Sequence, residues 1–236
     1  MSKLTNDFAK IIEAKVETAA KEESEHIDAA AKMFNDCVEA GHKIYFFGTG
    51  HSYMTGQEVF GRAGGYAGFV PILENELSMN HIIKSTYIER IPEYATVIMG
   101  LYDFQKDDVV VMTSNSGRNG LVVEMALKFK EKGLKIIAIT AMNNQAKIKS
   151  RHVSGKKLCD LADLCLNNES DYGDVSLTHS DGTQTGPTST IMDCFLIDAV
   201  VSNFVDLQIK QHGSAPVFIS SNVDAGDKHN VELFKK

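Results

Sequence analysis

V109-V-V-M-T-S-N-S-G-R-N119 decides the fold of this chain. The four apolar residues Val109 to Met112 run into Thr113-Ser114-Asn115-Ser116-Gly117-Arg118-Asn119. Apolar residues then return at helical spacing, at Leu121, Val122, Met125, Ala126 and Phe129. That order predicts a buried strand, a hydroxyl-rich turn and a helix. Ser114, Ser116 and Asn119 fall where the helix begins, where backbone N–H groups lack intrahelical partners and the helix dipole is positive. Donors converging there suit an anion. Helix capping alone requires one such residue, and this turn carries several.

A second unit of the same kind lies upstream. Ile44 to Phe47 reads as a strand, followed by Gly48-Thr49-Gly50-His51-Ser52 and a helix expected to end near Gly64-Gly65. A dinucleotide fingerprint requires a third glycine, and that position is Tyr53, although Glu74 sits at a distance suited to a ribose-binding acid. No Walker lysine follows either glycine turn. Further strands are expected at Phe69–Leu73, Ile136–Thr140 and Leu164–Leu166, with a short helix around Leu158–Ala162. Glu74 and Glu76 follow the Phe69 strand, at the end where open α/β sheets bind ligands. Asn167 to Gly186 is a long polar loop holding Tyr172, Asp174 and His179, and a loop of that length is usually functional or mobile. Gly186-Pro187-Thr188-Ser189-Thr190 opens the last long helix, whose apolar series is interrupted by Asp193 and Asp198. Before the first strand, Leu4 to Ala40 carries two helical stripes, the first broken at Lys15. These must pack on their own domain or on a second subunit. The tail segment Asn222 to Asn230 reads as a glycine turn with solvated charges rather than a metal site.

The chain has 236 residues, 43% of them hydrophobic, enough for a sizeable core. A formal charge of −7 with the 24 Lys and Arg spread out argues against a nucleic-acid surface. Cys37, Cys159, Cys165 and Cys194 lack a C-x-x-C pairing and read as small buried hydrophobes. No signal core or membrane-length apolar run is present, so a cytoplasmic protein without a membrane partner is expected.

GTGHS after the first strand and TSNSGRN after the third resemble the sugar isomerase (SIS) domain family over about Lys32 to Gly213. HSYMTGQEVFGRAGG, the stretch His152-Val153-Ser154-Gly155-Lys156, GPTST and SSNVDAGDKHN resemble a bacterial subgroup of stand-alone sugar-phosphate isomerase-like proteins across nearly the whole chain. The resemblance implies an α/β fold: a three-layer α-β-α sandwich around a five-stranded parallel sheet, of flavodoxin-like type, with N-terminal helices added. It implies segments 1–41 (N-terminal helices), 42–213 (the phosphosugar-binding domain) and 214–236 (a tail), and a homodimer or homotetramer. It also implies a phosphorylated sugar held at its phosphate by Ser52, Ser114, Asn115, Ser116 and Asn119. Asn119 stands where threonine is common, and an amide still donates a hydrogen bond. The sugar would lie along Gly48, Thr49, Gly50, His51, Thr188, Ser189 and Thr190. No cofactor or metal is implied.

The implied reaction is an aldose–ketose isomerisation, which moves a proton between C1 and C2 through an enediol and needs a base. Glu74 and His81 are the first candidates, because they lie just past a strand's ligand-facing end; Glu58 is the next. The ordinary alternative for each is a surface residue or an ion pair, such as Glu58 with Arg62 one turn on. A non-catalytic phosphosugar sensor and lyase or etherase chemistry on an N-acetylated sugar phosphate are the competing functions. The N-terminal stripes are too short and too acidic for an appended DNA-binding unit, which favours an enzyme.

Overall fold

The computed structural model describes residues 3–234; the outermost positions of the expected N-terminal and C-terminal segments, 1–2 and 235–236, lie outside the described residues. Two helices come first, α1 (Lys3–Glu22) and α2 (Ser24–Glu39). The sheet strands are β1 (Ile44–Gly48), β2 (Phe69–Pro71), β3 (Val109–Thr113), β4 (Lys135–Thr140) and β5 (Leu164–Asn167). They form one parallel sheet in the order β2-β1-β3-β4-β5. Between them run α3 (Met54–Glu58), α4 (Ile82–Ile88), α5 (Tyr94–Leu101) and α6 (Gly120–Lys132). A two-stranded hairpin, β6 (Leu177–Thr178) with β7 (Gln184–Thr185), interrupts the long loop, and α7 (Ser189–His212) and α8 (Gly226–Leu233) come after it.

The central strands are continuous apolar runs because both of their faces are covered. Alternate residues divide between two layers. Ile44, Phe46, Val109, Val111, Ile137 and Ile139 face α2 and α7. Tyr45, Phe47, Val110, Met112, Ile136 and Ala138 face α5 and α6. In the first layer Phe34 of α2 is fully buried, and its ring meets those of Phe46, Phe69 and Phe204 edge-on at centroid distances of 6.2, 5.7 and 5.8 Å. The α2 stripe is therefore buried within its own chain. α1 contributes one fully buried residue, Ala19.

Several boundaries differ from the sequence reading. β2 stops at Pro71, and a 3-10 turn over Asn75–Leu77 comes soon after. α3 ends at Glu58, not near Gly64: Gly61 and Gly64 take positive φ, and Gly64 and Gly65 pair with the backbone of Phe218 instead. Leu158–Asp160 is a single 3-10 turn. The tail is not a bare glycine turn. It forms α8, and buried Asn230 ties that helix to both backbone groups of Ile219. All four cysteines are free; Cys37 is buried, the other three partly so, and burial pushes the thiols of Cys37, Cys165 and Cys194 up to about 11.

Candidate functional site

The strand order reverses between β1 and β3, since the chain goes outward from β1 to β2 and then returns to the other side. In an open parallel sheet that switch point leaves a crevice beyond the strands' carboxyl ends. The two sequence motifs meet there. A cavity of about 410 Å³ is lined by Thr49 and Ser52 from the β1 turn and by Ser114, Asn115, Ser116, Arg118 and Asn119 from the β3 turn.

Both turns depend on glycine. A Cβ on Gly48 would stand 2.2 Å from the Ser52 carbonyl oxygen, so the chain can fold back after β1 only without a side chain. Gly117 takes φ 60°, and its N–H donates to Ser114 Oγ at 3.2 Å. The β3 turn is also held from β4 and from the residue just after β5. Thr140 Oγ1 donates to the Asn115 carbonyl at 3.2 Å, and Asn168 Nδ2 donates to Asn115 Oδ1 at 3.1 Å. Asn168 Nδ2 also donates to Asp193 Oδ1 at 2.8 Å. Asp193 is buried, and burial holds its carboxyl up at about 7 despite that donor. The Asn119 side chain does not cap α6; its Oδ1 accepts from Arg151 Nη1 at 3.0 Å. The Ser116 hydroxyl lines the cavity without a partner among the described residues.

The chain belongs to the SIS domain family. A model of the SIS domain matches residues 7–141, which takes in most of α1, all of α2 and both turns of the crevice. The chain is 36% identical over its whole length to a UPF0309 protein of Halalkalibacterium halodurans, covering 98% of that protein. It is likewise 36% identical, over 89% of its length and 87% of the other's, to a UPF0309 protein of Thermoanaerobacter pseudethanolicus. In structure it is similar to the phosphoheptose isomerase GmhA of Neisseria gonorrhoeae, with a TM-score of 0.56 and 19% identity over 86% of this chain and 97% of that one. It is also similar to an Escherichia coli CFT073 protein solved in complex with arabinose 5-phosphate, with a TM-score of 0.53 and 17% identity over 88% and 94% of the two chains.

Within this SIS chain the residues proposed from sequence separate into two groups. Thr49, Gly50, His51, Ser52, Asn115, Ser189 and Thr190 line a groove adjoining the cavity. Buried Thr188 and Ser189 open α7, and their N–H groups donate to Asp174 Oδ1 at 3.0 and 2.9 Å; Ser189 Oγ donates to Asp174 Oδ2 at 2.5 Å. The serine hydroxyl is thus already committed to a carboxylate. The three proposed bases, by contrast, do not line the cavity or the groove. β2 is the edge strand, so the segment after it lies at the margin of the sheet and not at the switch point. Glu74 there accepts a 2.8 Å hydrogen bond from the Tyr102 hydroxyl. Exposed His81 accepts from the Lys84 N–H at 3.4 Å as the cap of α4. Glu58 is paired with Arg62 and lines a separate recess with Asp198 of α7.

Two carboxylates line both cavity and groove, Asp174 of the long loop and Glu89; Glu89 lies just past the end of α4. It accepts from Thr49 Oγ1 at 3.3 Å. Burial raises its pKa, opposed by the hydrogen bonds from Thr49 and Asn119 and the charges of Arg90 and Arg151. A glutamate closing a short polar helix looks solvated in sequence; its hydroxyl partner lies in the β1 turn, 40 residues earlier. The long loop also reaches the cavity, through Asp171, Tyr172, Gly173 and Asp174. Lys15, the residue that breaks the α1 stripe, holds that loop: its Nζ lies 3.1 Å from Asp171 and donates to the Glu169 carbonyl at 2.5 Å. His179 is outside, bonded to Thr185 across the hairpin.

Proposed function

We propose that this SIS protein binds a phosphorylated sugar at the β3 turn and interconverts its aldose and ketose forms, with Glu89 as the group that moves the proton. The observation that carries this reading is the position of Glu89. A half-buried carboxylate with a raised pKa lines the same cavity as a turn of serine hydroxyls at a helix start. A base shifted toward neutral pH suits proton transfer between C1 and C2. The hydroxyls of Ser114 and Ser116 on the β3 turn would hold the phosphate. The Thr49 hydroxyl would orient Glu89, and Asp174, already fixed by Ser189, would accept from a sugar hydroxyl. The fold is shared with a phosphoheptose isomerase and with a protein solved with arabinose 5-phosphate, which supports a phosphosugar ligand.

The test is a panel of five-, six- and seven-carbon sugar phosphates, screened by thermal shift and then followed by NMR for aldose–ketose conversion. At least one member should both stabilise the protein and be converted. Stabilisation without conversion by any member would leave a phosphosugar sensor instead, and no stabilisation by any member would remove the phosphosugar reading altogether.

A further inference from the structure

The cavity is unevenly paired. Two of its carboxylates are already partnered: Asp171 with Lys15, and Asp174 with Ser170, Thr188 and Ser189. Its arginine is not. Arg118 lines the cavity, and its Nε is buried without a hydrogen-bond partner. Among the described residues no carboxylate lies within ion-pair distance of Arg118, Arg151 or Arg90. A buried guanidinium donor left unpaired is costly, and native structures rarely keep one without a use.

Arg118 and Arg151 are also held together. The Arg151 N–H donates to the Arg118 carbonyl at 2.9 Å, and Arg151 Nη1 donates to Asn119 Oδ1. The loop bearing Arg151 is pinned by the next residue, buried His152, whose ring reaches Glu124 Oε2 of α6 at 3.0 Å and Ser154 Oγ at 2.8 Å. The His152-Val153-Ser154-Gly155-Lys156 stretch therefore fixes Arg151 beside Arg118 and against Asn119 of the cavity wall. Burial, with the like charges of Arg118 and Arg90, lowers the pKa of Arg151, opposed by the charge of Glu89.

We propose that Arg118 and Arg151 form a second anion subsite, so that the substrate is a sugar phosphate carrying another anionic group, a carboxylate or a second phosphate. This rests on the phosphosugar reading above, in which the serine turn takes the first phosphate. A planar guanidinium suits either group, because both accept paired N–H donors.

Calorimetric titration at fixed ionic strength with two matched pairs tests it: fructose 6-phosphate against fructose 1,6-bisphosphate, and glucose 6-phosphate against 6-phosphogluconate. The wild type should bind the doubly anionic member of at least one pair more tightly by roughly 10- to 100-fold, the range of a hydrogen bond to a charged group. Arg118→Met, or Arg151→Met should the first variant be unstable, should abolish that preference and leave monophosphate affinity within about threefold. Equal affinity for both members of each pair in the wild type would overturn the subsite while leaving the phosphosugar reading standing. So would a variant that loses both ligands in equal measure, since the arginine would then serve the first phosphate. Failure of all four probes to bind would count against the phosphosugar reading and, with it, this inference.

Discussion

Ser116 and Asp193 make separable contributions at the scale of single residues. Ser116 presents its hydroxyl on the turn, so Ser116→Ala should weaken binding of any phosphosugar by about 1.5–3 kcal/mol, the worth of a hydrogen bond to a charged acceptor. Titration showing unchanged affinity would remove the turn from the phosphate site. Asp193 is a buried carboxyl whose pKa in the fold, about 7, lies above the ordinary value of 3.8. As pH rises between those values the unfolded chain ionises first while the folded chain keeps its proton, so this residue lowers stability progressively across that window and no further above it. Asp193→Asn keeps an oxygen for Asn168 to donate to and removes the titration. Urea unfolding should show the variant gaining on the wild type as pH is raised from about 4 to about 7; a constant difference across that range would mean that Asp193 stays ionised in the fold. The sequence shows this aspartate interrupting the apolar series of the last helix, where burial would require a partner. It does not identify Asn168 as that partner, because the contact joins the end of β5 to α7 across 25 positions.

The elements were legible wherever their reading is local. Strands β1, β3 and β4 announce themselves as apolar runs, and the two turns as glycine and hydroxyl clusters at strand ends. Glu89 was not legible in the same way. Glu74 follows a strand's ligand-facing end, but that strand is at the sheet's edge, and strand order is not written locally in a sequence. Glu89 reaches the crevice because α4 returns toward β1, a long-range outcome of packing. Arg118 was visible inside the decisive stretch, yet its lack of a partner shows only once the neighbouring loops are placed. Two predictions belong to this scale. Phe34→Ala should cost about 3–5 kcal/mol in urea unfolding, because one ring fastens α2 to both β1 and α7; a loss below about 1 kcal/mol would show that α2 is peripheral to the core. Gly48→Ala should abolish phosphosugar binding while the sheet persists by circular dichroism, since its methyl would collide with the Ser52 carbonyl and displace the turn; retained affinity would show that the β1 turn is not part of the site.

The whole molecule carries a formal charge of −7, yet gathers Arg90, Arg118 and Arg151 near one crevice. An anion repelled by the surface at large is therefore favoured at that place. Among the described residues no helix is long and apolar enough to cross a membrane. On α4 and α5, Ile82, Ile83, Tyr87, Val97 and Leu101 are half or more exposed, and α1 buries little within its own chain. Apolar side chains exposed in this way favour self-association. We expect a homo-oligomer by sedimentation at micromolar concentration; a monomer would refute that expectation, and a dimer surviving deletion of α1 would move the interface to α4 and α5. The central claim, that Glu89 moves the proton of a bound phosphosugar, is tested most directly by deuterium incorporation at C2 in heavy water, which reports the step whichever product forms. Wild-type protein should exchange that proton on the phosphosugar it converts, and Glu89→Gln should exchange it roughly 10²–10⁴-fold more slowly with affinity largely kept. Exchange by Glu89→Gln at the wild-type rate would contradict the account.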